Sequence, residues 1–394
     1  MLALKGNYLL KVNFGDADVA IDVNNIKEFT IVQDLKKFLP EFHIRLIDAQ
    51  GILTHLVPFG KTLTKIKVQI GESYQSPVNN AFNFQVYRRQ PEGAFGSGAI
   101  YDIRGLLAVT KLFAPDMSRA FQGTIASTIQ SIATEMGILN TDISPNLNYS
   151  KKLIQPHISN AQFLDWIEKA VVGVDDDGGF NVFVSQRDGQ PTLNCKTYRD
   201  LNLGPLRYKF IINDEPVEDY YPASMIGIED NYLLFGVFGA KKQRAGYFNY
   251  DTSAWVEEDY DYTDFTSLTD FFAIDGDDSE DSEHMHSFGT SNDFSSNFRG
   301  HVLGNYYSRL EGLTKMSILT WGLPNICPGD VVKVLFAQGQ RAGTLQSFQF
   351  SGNWLVERVV HSLTSTHRTR LTLTRNGMDT DKDSTLVRAV KQRR

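Results

Sequence analysis

Short runs in which apolar and polar residues alternate, each bounded by turn-forming residues, dominate positions 1–113 and constrain the fold more than any other feature of the chain. Residues 8–14, 42–47, 64–70, 82–88 and 100–109 all read this way. A period of two sends successive side chains to opposite faces of a strand, so these runs fit a sheet with one buried and one exposed face. Asp48-Ala49-Gln50-Gly51, Pro58-Phe59-Gly60 and the glycine-rich stretch 91–98 supply the turns. Residues 1–115 are therefore expected to form a β-barrel or sandwich.

After Pro115 the apolar spacing changes to three and four. Ile125, Ile129, Ile132 and Met136 mark one amphipathic helix that stops at Gly137, and Ile158, Phe163, Trp166, Ile167 and Ala170 mark a second before Gly173. Ser159-Asn160 stands where an N-cap belongs. Residues 180–185 and 192–196 resemble a hairpin turning through Arg187-Asp188-Gly189-Gln190. Residues 116–204 are thus expected to be a small α+β domain with two helices. Strand character returns at 225–238 and again from 315 to 374, which predicts a second barrel built from 205–244 and 301–376. The fold class is mainly β, with two similar antiparallel barrels, the small helical unit and an inserted segment.

The insertion, 245–300, is set apart by charge. The net charge of the 394-residue chain is −7, yet positions 245–298 hold 14 Asp and Glu and no Lys or Arg, which leaves the remainder at about +7. The segment also carries nine aromatics between Tyr247 and Phe272, too many for a simple linker, whereas Asp275 to Glu283 is polar enough to stay mobile. A partly ordered excursion with a flexible tip is expected. Residues 377–394 lose periodicity, end in Lys391-Gln392-Arg393-Arg394, and read as a tail.

Several function classes are disfavoured. Basic residues outside the insertion are scattered rather than gathered into the stripe that a duplex-binding protein needs to neutralise phosphates. No stretch approaches the roughly 20 apolar residues that span a bilayer, and no signal-peptide pattern opens the chain, so a soluble protein not exported by that route is expected. Cys195 and Cys327, the only cysteines, stand far apart without metal or redox spacing. Gly60-Lys61-Thr62 resembles the end of a phosphate-binding loop, but His55 stands where its first glycine belongs and a strand follows. His284-Met285-His286 beside Asp281 and Glu283 reads as a solvated loop rather than a metal site. Asp379, Asp381 and Asp383 match three calcium-loop positions, yet Ser384 replaces the required glycine and Val390 the bidentate glutamate. Asp175-Asp176-Asp177-Gly178-Gly179 reads as a turn, and His43, His55, His157 and His361 as structural. No catalytic, cofactor-binding or metal-ligating set is expected, and no cofactor. A glycosidase, needing only two carboxylates, stays open on motif grounds.

The chain also carries a weak internal duplication. Residues 98–110 lie beside 352–364 at constant offset, matching Gly98 with Gly352, Arg104 with Arg358 and Thr110 with Thr364; upstream, Pro58-Phe59-Gly60 and the strand to Ile70 parallel Pro328-Gly329-Asp330 and the strand to Phe336. Two barrels of one topology would produce this.

Residues 313–376 are the most distinctive: Thr320-Trp321-Gly322-Leu323, the Pro328-Gly329-Asp330 turn, the valine-rich strand 331–336, then 352–361 and 370–376. This succession resembles the closing barrel of phage tail baseplate hub proteins, the family that includes the central hub of contractile-tailed phages and the base of type VI secretion spikes. The resemblance implies a non-enzymatic virion protein. Three chains, each with two similar tube barrels, would make a six-fold-like ring that meets a hexameric tail tube protein on one face and a trimeric central spike protein on the other. It further implies contact with wedge, distal tail or tape-measure proteins, transient passage of DNA through the lumen, and residence in the host cytoplasm during assembly. A tail-associated cell-wall hydrolase or carbohydrate-binding protein, and the hub of a secretion spike or tailocin, are the competing readings.

Overall fold

The computed structural model describes residues 9–14, 19–20, 23–49, 51, 53, 64–71, 79–95, 98–112, 117–171, 173, 179–212, 219–230, 242–249, 252–261, 283–290, 314–336, 350–363 and 366–375. The first sheet is built from β1 (Leu9–Phe14), β2 (Val19–Ala20), β3 (Ile26–Asp34), β4 (Glu41–Asp48), β5 (Lys65–Gly71), β6 (Asn80–Phe95) and β7 (Gly98–Leu107). Their spatial order is β3-β4-β7-β6-β5-β1-β2, and every neighbour is antiparallel. The alternation works as expected: Phe42, Ile44 and Leu46 of β4 and Ile66, Val68 and Ile70 of β5 are buried, while Arg45, Lys65 and Lys67 face out. Phe42, Phe82 and Phe84 pack ring against ring, with centroids 4.8 Å (Phe42 to Phe84) and 5.5 Å (Phe82 to Phe84) apart. Gly105 makes room for them, since a Cβ there would sit 2.2 Å from the Phe42 ring.

The second unit contains β8 (Met117–Phe121), α1 (Ile125–Glu135), β9 (Asn140–Ile143), β10 (Leu153–Ile158), α2 (Asn160–Ala170), β11 (Phe180–Arg187), β12 (Gln190–Thr197) and α3 (Tyr198–Asn202). Both expected helices are present. Ser159 caps α2 through a reciprocal box with Gln162, and Phe121, Phe163 and Trp166 stack in series. The β11–β12 hairpin turns on Asp188 (φ 50°) and Gly189 (φ 75°), the paired positive φ values that a two-residue turn requires. The parallel addition of β9 to β12 and the short α3 were not anticipated. α1 and α2 share one continuous apolar core with the first sheet.

The third unit comprises β13 (Leu206–Ile212), β14 (Tyr221–Asp230), β18 (Thr314–Trp321), β19 (Val331–Phe336), β20 (Gly352–Leu363) and β21 (His367–Arg375), numbered so that β15–β17 fall within the insertion. The order β13-β14-β18-β21-β20-β19 returns to β13 and closes a six-stranded barrel. One departure from the expected antiparallel pairing occurs: β13 runs parallel to both β14 and β19. Its overlap with β14 is limited to Phe210–Ile212 against Tyr221–Ala223, a distance that the eight intervening residues can retrace. The barrel is filled by Phe210, Ile318, Val334, Trp354, Val356 and Leu373, among others.

Within the insertion, β15 (Lys242–Asn249), β16 (Ala254–Asp261) and β17 (Glu283–Thr290) form a separate three-stranded sheet in the order β16-β15-β17. The anticipated mobile tip lies outside the described residues apart from Glu283, and so does the tail from 377. Among the described residues no helix is long and apolar enough to cross a membrane.

The first sheet and the barrel's sheet are one. β20 pairs with β3, so that 13 strands run without a break. The two halves also share a plan: β3-β4-β7-β6-β5 and β14-β18-β21-β20-β19 have the same order, the same chain sequence and antiparallel neighbours throughout. They differ at the sixth strand, where β1 is antiparallel to β5 but β13 is parallel to β19. The duplication is therefore real in topology. The strand match of β5 with β19 holds, but that of 98–110 with 352–364 does not, because the partner of β7 is β21 and the partner of β20 is β6.

Candidate assembly interface

In the correct frame β6 and β20 align through Phe84-Gln85-Val86-Tyr87-Arg88 and Trp354-Leu355-Val356-Glu357-Arg358. Phe84 and Trp354 are each fully buried, one in the core under the first sheet and the other inside the barrel. After the valine, both strands slip register by one residue against their hairpin partner, β6 at Val86/Arg88 and β20 at Val356/Arg358. A bulge of this kind adds a residue, increases twist and redirects the strand. Each strand thus serves its own barrel up to the bulge and leaves it afterwards.

Beyond its bulge β20 meets β3, with Arg358, Val359, Val360, His361 and Ser362 opposite Asp34, Gln33, Val32, Ile31 and Thr30. The Leu35 amide donates to the Glu357 carbonyl at 2.8 Å and extends the ladder. The bulged Glu357 clamps this joint: its carboxylate lies 3.1 Å from Lys36 of the first sheet and 2.8 Å from Lys315 of the second. Burial pushes the Glu357 carboxyl up, but Lys315 and Lys36 outweigh it and hold the group below the usual carboxylate range. Arg358 adds a contact to Asp34 at 3.6 Å.

The β11–β12 hairpin locks the same joint from one side. Buried Asn80, at the start of β6, donates to the carbonyls of Gln186 (2.9 Å) and Pro324 (2.8 Å) and accepts from the Gly189 amide (3.0 Å), so one side chain ties together the first sheet, the hairpin and the barrel. The Gln186 backbone amide donates to the Gln33 side chain at 3.0 Å, and its Nε2 donates to the Ala81 carbonyl at 2.7 Å. Arg187 pairs with Asp330 at 2.5 Å, and burial pushes that carboxyl up against the pull of Arg187. Gly329 (φ 85°) gives the Pro328-Gly329-Asp330 turn its shape, and Asp330 accepts from the Cys327 amide at 2.9 Å. A cleft of about 230 Å³ lies here, lined by Asp142, Arg187, Lys196, Arg207 and Asp330 among others, with Lys196 paired to Asp142 at 2.6 Å.

The residues weighed for chemistry do not converge. His284 and His286 lie on strand β17 rather than in the solvated loop expected, because their backbone pairs with Gln243 and Ala245 of β15. No group of three or more potential metal ligands occurs among the described residues. His55, Gly60-Lys61-Thr62, Asp175 to Asp177 and the Asp379 to Asp383 series lie outside the described residues. His43 bonds Asp102 at 2.5 Å, with Arg104 on the other oxygen at 3.2 Å; burial alone would raise Asp102, and the His43 and Arg104 hydrogen bonds reverse that. His361 is wholly buried 3.2 Å from His367. Cys195 and Cys327 are buried free thiols, and burial pushes Cys327 up to about 12.

The two edges of the continuous sheet differ from its interior. Past the bulge, residues 87–95 of β6 pair with β7 alone among the described residues, and residues 224–230 of β14 pair with β18 alone. Both edges expose large apolar side chains: Tyr87 is 55% accessible on one, and Met225 and Ile226 are 39% and 51% accessible on the other. Sequence reasoning missed both edges, although the aromatic-x-Val-x-Arg repeat marks where each begins.

No family model matches this sequence, and no curated protein matches it. Solved structures do match. A tail protein from Neisseria meningitidis MC58 aligns at a TM-score of 0.58 and 12% identity, covering 95% of this chain and 98% of that one. The 43 kDa tail protein of prophage MuSo2 from Shewanella oneidensis aligns at 0.57 and 10% identity, covering 94% and 99%. The chain has the fold of these two tail proteins. An E. coli type VI secretion component aligns less closely, at 0.49 and 10% identity over 92% of this chain and 76% of that one. At the level of the fold the likeness drawn from residues 313–376 extends to the two tail proteins, whose alignment spans the sheets, the helical unit and the barrel together.

Proposed function

We propose that this chain is a structural hub of a phage-type tail baseplate, acting by assembly with no catalytic step. In this reading three copies form a ring, six barrels match the hexameric tail tube protein, the three-fold matches the central spike protein, and the lumen passes DNA transiently. Wedge, distal tail or tape-measure proteins are the outer neighbours, and assembly takes place in the host cytoplasm before the ring is built into the virion. The domain limits that serve it are 1–115 and 205–244 with 301–376 for the barrels, 116–204 for the helical unit, 245–300 for the insertion and 377–394 for the tail.

The observation that carries the reading is the repetition of one five-strand order on one continuous sheet. A chain with two like barrels presents two like surfaces, and three such chains can offer six near-equivalent positions while keeping three-fold symmetry. The match to two tail proteins over nearly the whole chain supports a role in a tail. Electron microscopy of the chain co-expressed with the tail tube and spike proteins tests the proposal. The expected result is a three-fold ring with six barrel lobes bound at one face to the tube. A monomer at micromolar concentration that binds neither neighbour would sink it.

A further inference from the structure

The joint inside the chain supplies a template for a joint between chains. β20 passes its bulge and finds β3; its counterpart β6 passes an equivalent bulge and, among the described residues, finds no strand on that side. The counterpart of β3 is β14, whose matching edge pairs with β13 only at Tyr221–Ala223. The molecule therefore displays one filled β20–β3 joint and the two separated halves of a second.

We infer that residues 89–92 of β6 pair antiparallel with β14 of a second copy of this chain, in the register that β20 takes with β3. This rests on the ring reading and specifies its contact. Transferring the register places Gln90 opposite Glu229, Pro91 opposite Ile228 and Glu92 opposite Gly227. Arg88, the counterpart of Arg358, then lies diagonally from Glu229, within reach of a charge pair across the strands, and both side chains are exposed. In the filled joint Arg358 already reaches an acid, Asp34. Tyr87, Met225 and Ile226, exposed on the two edges, flank the proposed ladder, whose formation removes a liability that an uncovered strand edge carries. Pro91 has no N–H to donate, so the outer ladder is shorter than the inner one and discourages pairing with arbitrary strands. The contact is head to tail: each copy gives β6 to one neighbour and receives another neighbour's β6 on β14, so it propagates until a ring closes.

A paired-cysteine variant of the full chain tests this. Six strands separate β6 from β14 in the sheet, so a disulfide between Gln90→Cys and Glu229→Cys joins different copies. The native Cys195 and Cys327 are buried and serve as an internal control. Under mild oxidation the double variant is expected to give covalent oligomers ending in a closed ring, and neither single variant should. Arg88→Glu is expected to weaken assembly about tenfold by sedimentation, with recovery in Arg88→Glu combined with Glu229→Lys. Rings that form without the crosslink and without charge rescue would overturn the strand register while leaving the ring intact. A chain that stays monomeric at micromolar concentration would overturn both.

Discussion

β6 and β20 begin alike and end differently. Up to the bulge each puts a large aromatic into its barrel, and their neighbours match strand for strand. Past the bulge β20 reads Val359, Val360, His361, with all but Val360 fully buried, whereas β6 reads Arg89, Gln90, Pro91 and stays largely accessible. The difference shows how a duplicated unit becomes asymmetric without changing fold. The copy whose edge is filled within the chain is apolar, and the copy whose edge has no strand beside it among the described residues carries charge and proline. Such an open edge suits a surface that must remain soluble before it finds its partner.

The sharpest test of the shared part is to remove the matched aromatics. Phe84→Ala and Trp354→Ala should each destabilise the chain by about 3–5 kcal/mol in denaturant unfolding, since each empties a fully buried site. A large loss at one and none at the other would break the equivalence of the barrels. The bulged residues should behave oppositely. Glu357→Ala strands Lys315 at a half-closed joint and is expected to cost about 2–3 kcal/mol, while Tyr87→Ala, at the open counterpart, should stay within about 0.5 kcal/mol for the isolated chain. Comparable losses at both would mean that the β6 edge is already covered.

An effect comparable with that of Glu357→Ala comes from pH. Burial holds His361 at about 4, and burial with the neighbouring His361 ring holds His367 well below its ordinary value. The folded chain keeps the rings neutral while the unfolded chain takes up protons below about 6.5, so their contribution is complete above that pH and is lost as the pH falls toward 4. For His361 alone the loss at pH 5 is about 2 kcal/mol. The counterpart position in β6 is Pro91, which cannot titrate, so the acid sensitivity belongs to the inner joint. Urea midpoints at pH 7.5 and pH 5 measure it, and equal stability at the two would contradict the burial of the pair.

Most of the first sheet was legible because one of its faces is buried and the other is not. β4 and β5 alternate cleanly for that reason. β3 was missed: at the joint, Gln33 is fully buried where it meets the Gln186 amide, and Val32 is only partly covered, so polarity no longer reports the face. β13 escaped notice because it is covered on both sides near its end, where Phe210, Ile211 and Ile212 are all buried and no period of two survives. The helical unit was readable down to the Ser159 cap, since that signal is local. The sequence suggests the wrong frame for the duplication because Gly98, Arg104 and Thr110 match Gly352, Arg358 and Thr364. The five residues that do correspond are held in place by barrel filling and by the bulge, which strand periodicity does not encode. The interface itself is invisible to any search for catalytic or ligand-binding motifs, because it consists of backbone edges.

The β20–β3 joint has a consequence for how the chain is made. Strand β3 leaves the ribosome early, but its partner at residues 358–362 is synthesised near the end. At about 5–20 residues per second, β3 waits roughly 15–60 s for the strand that completes its sheet. During that interval its unpaired edge is available to any extended segment nearby, including the β3 of a neighbouring nascent chain. Yield on overexpression should therefore track translation speed and chaperone supply more closely than it tracks the stability of the finished fold.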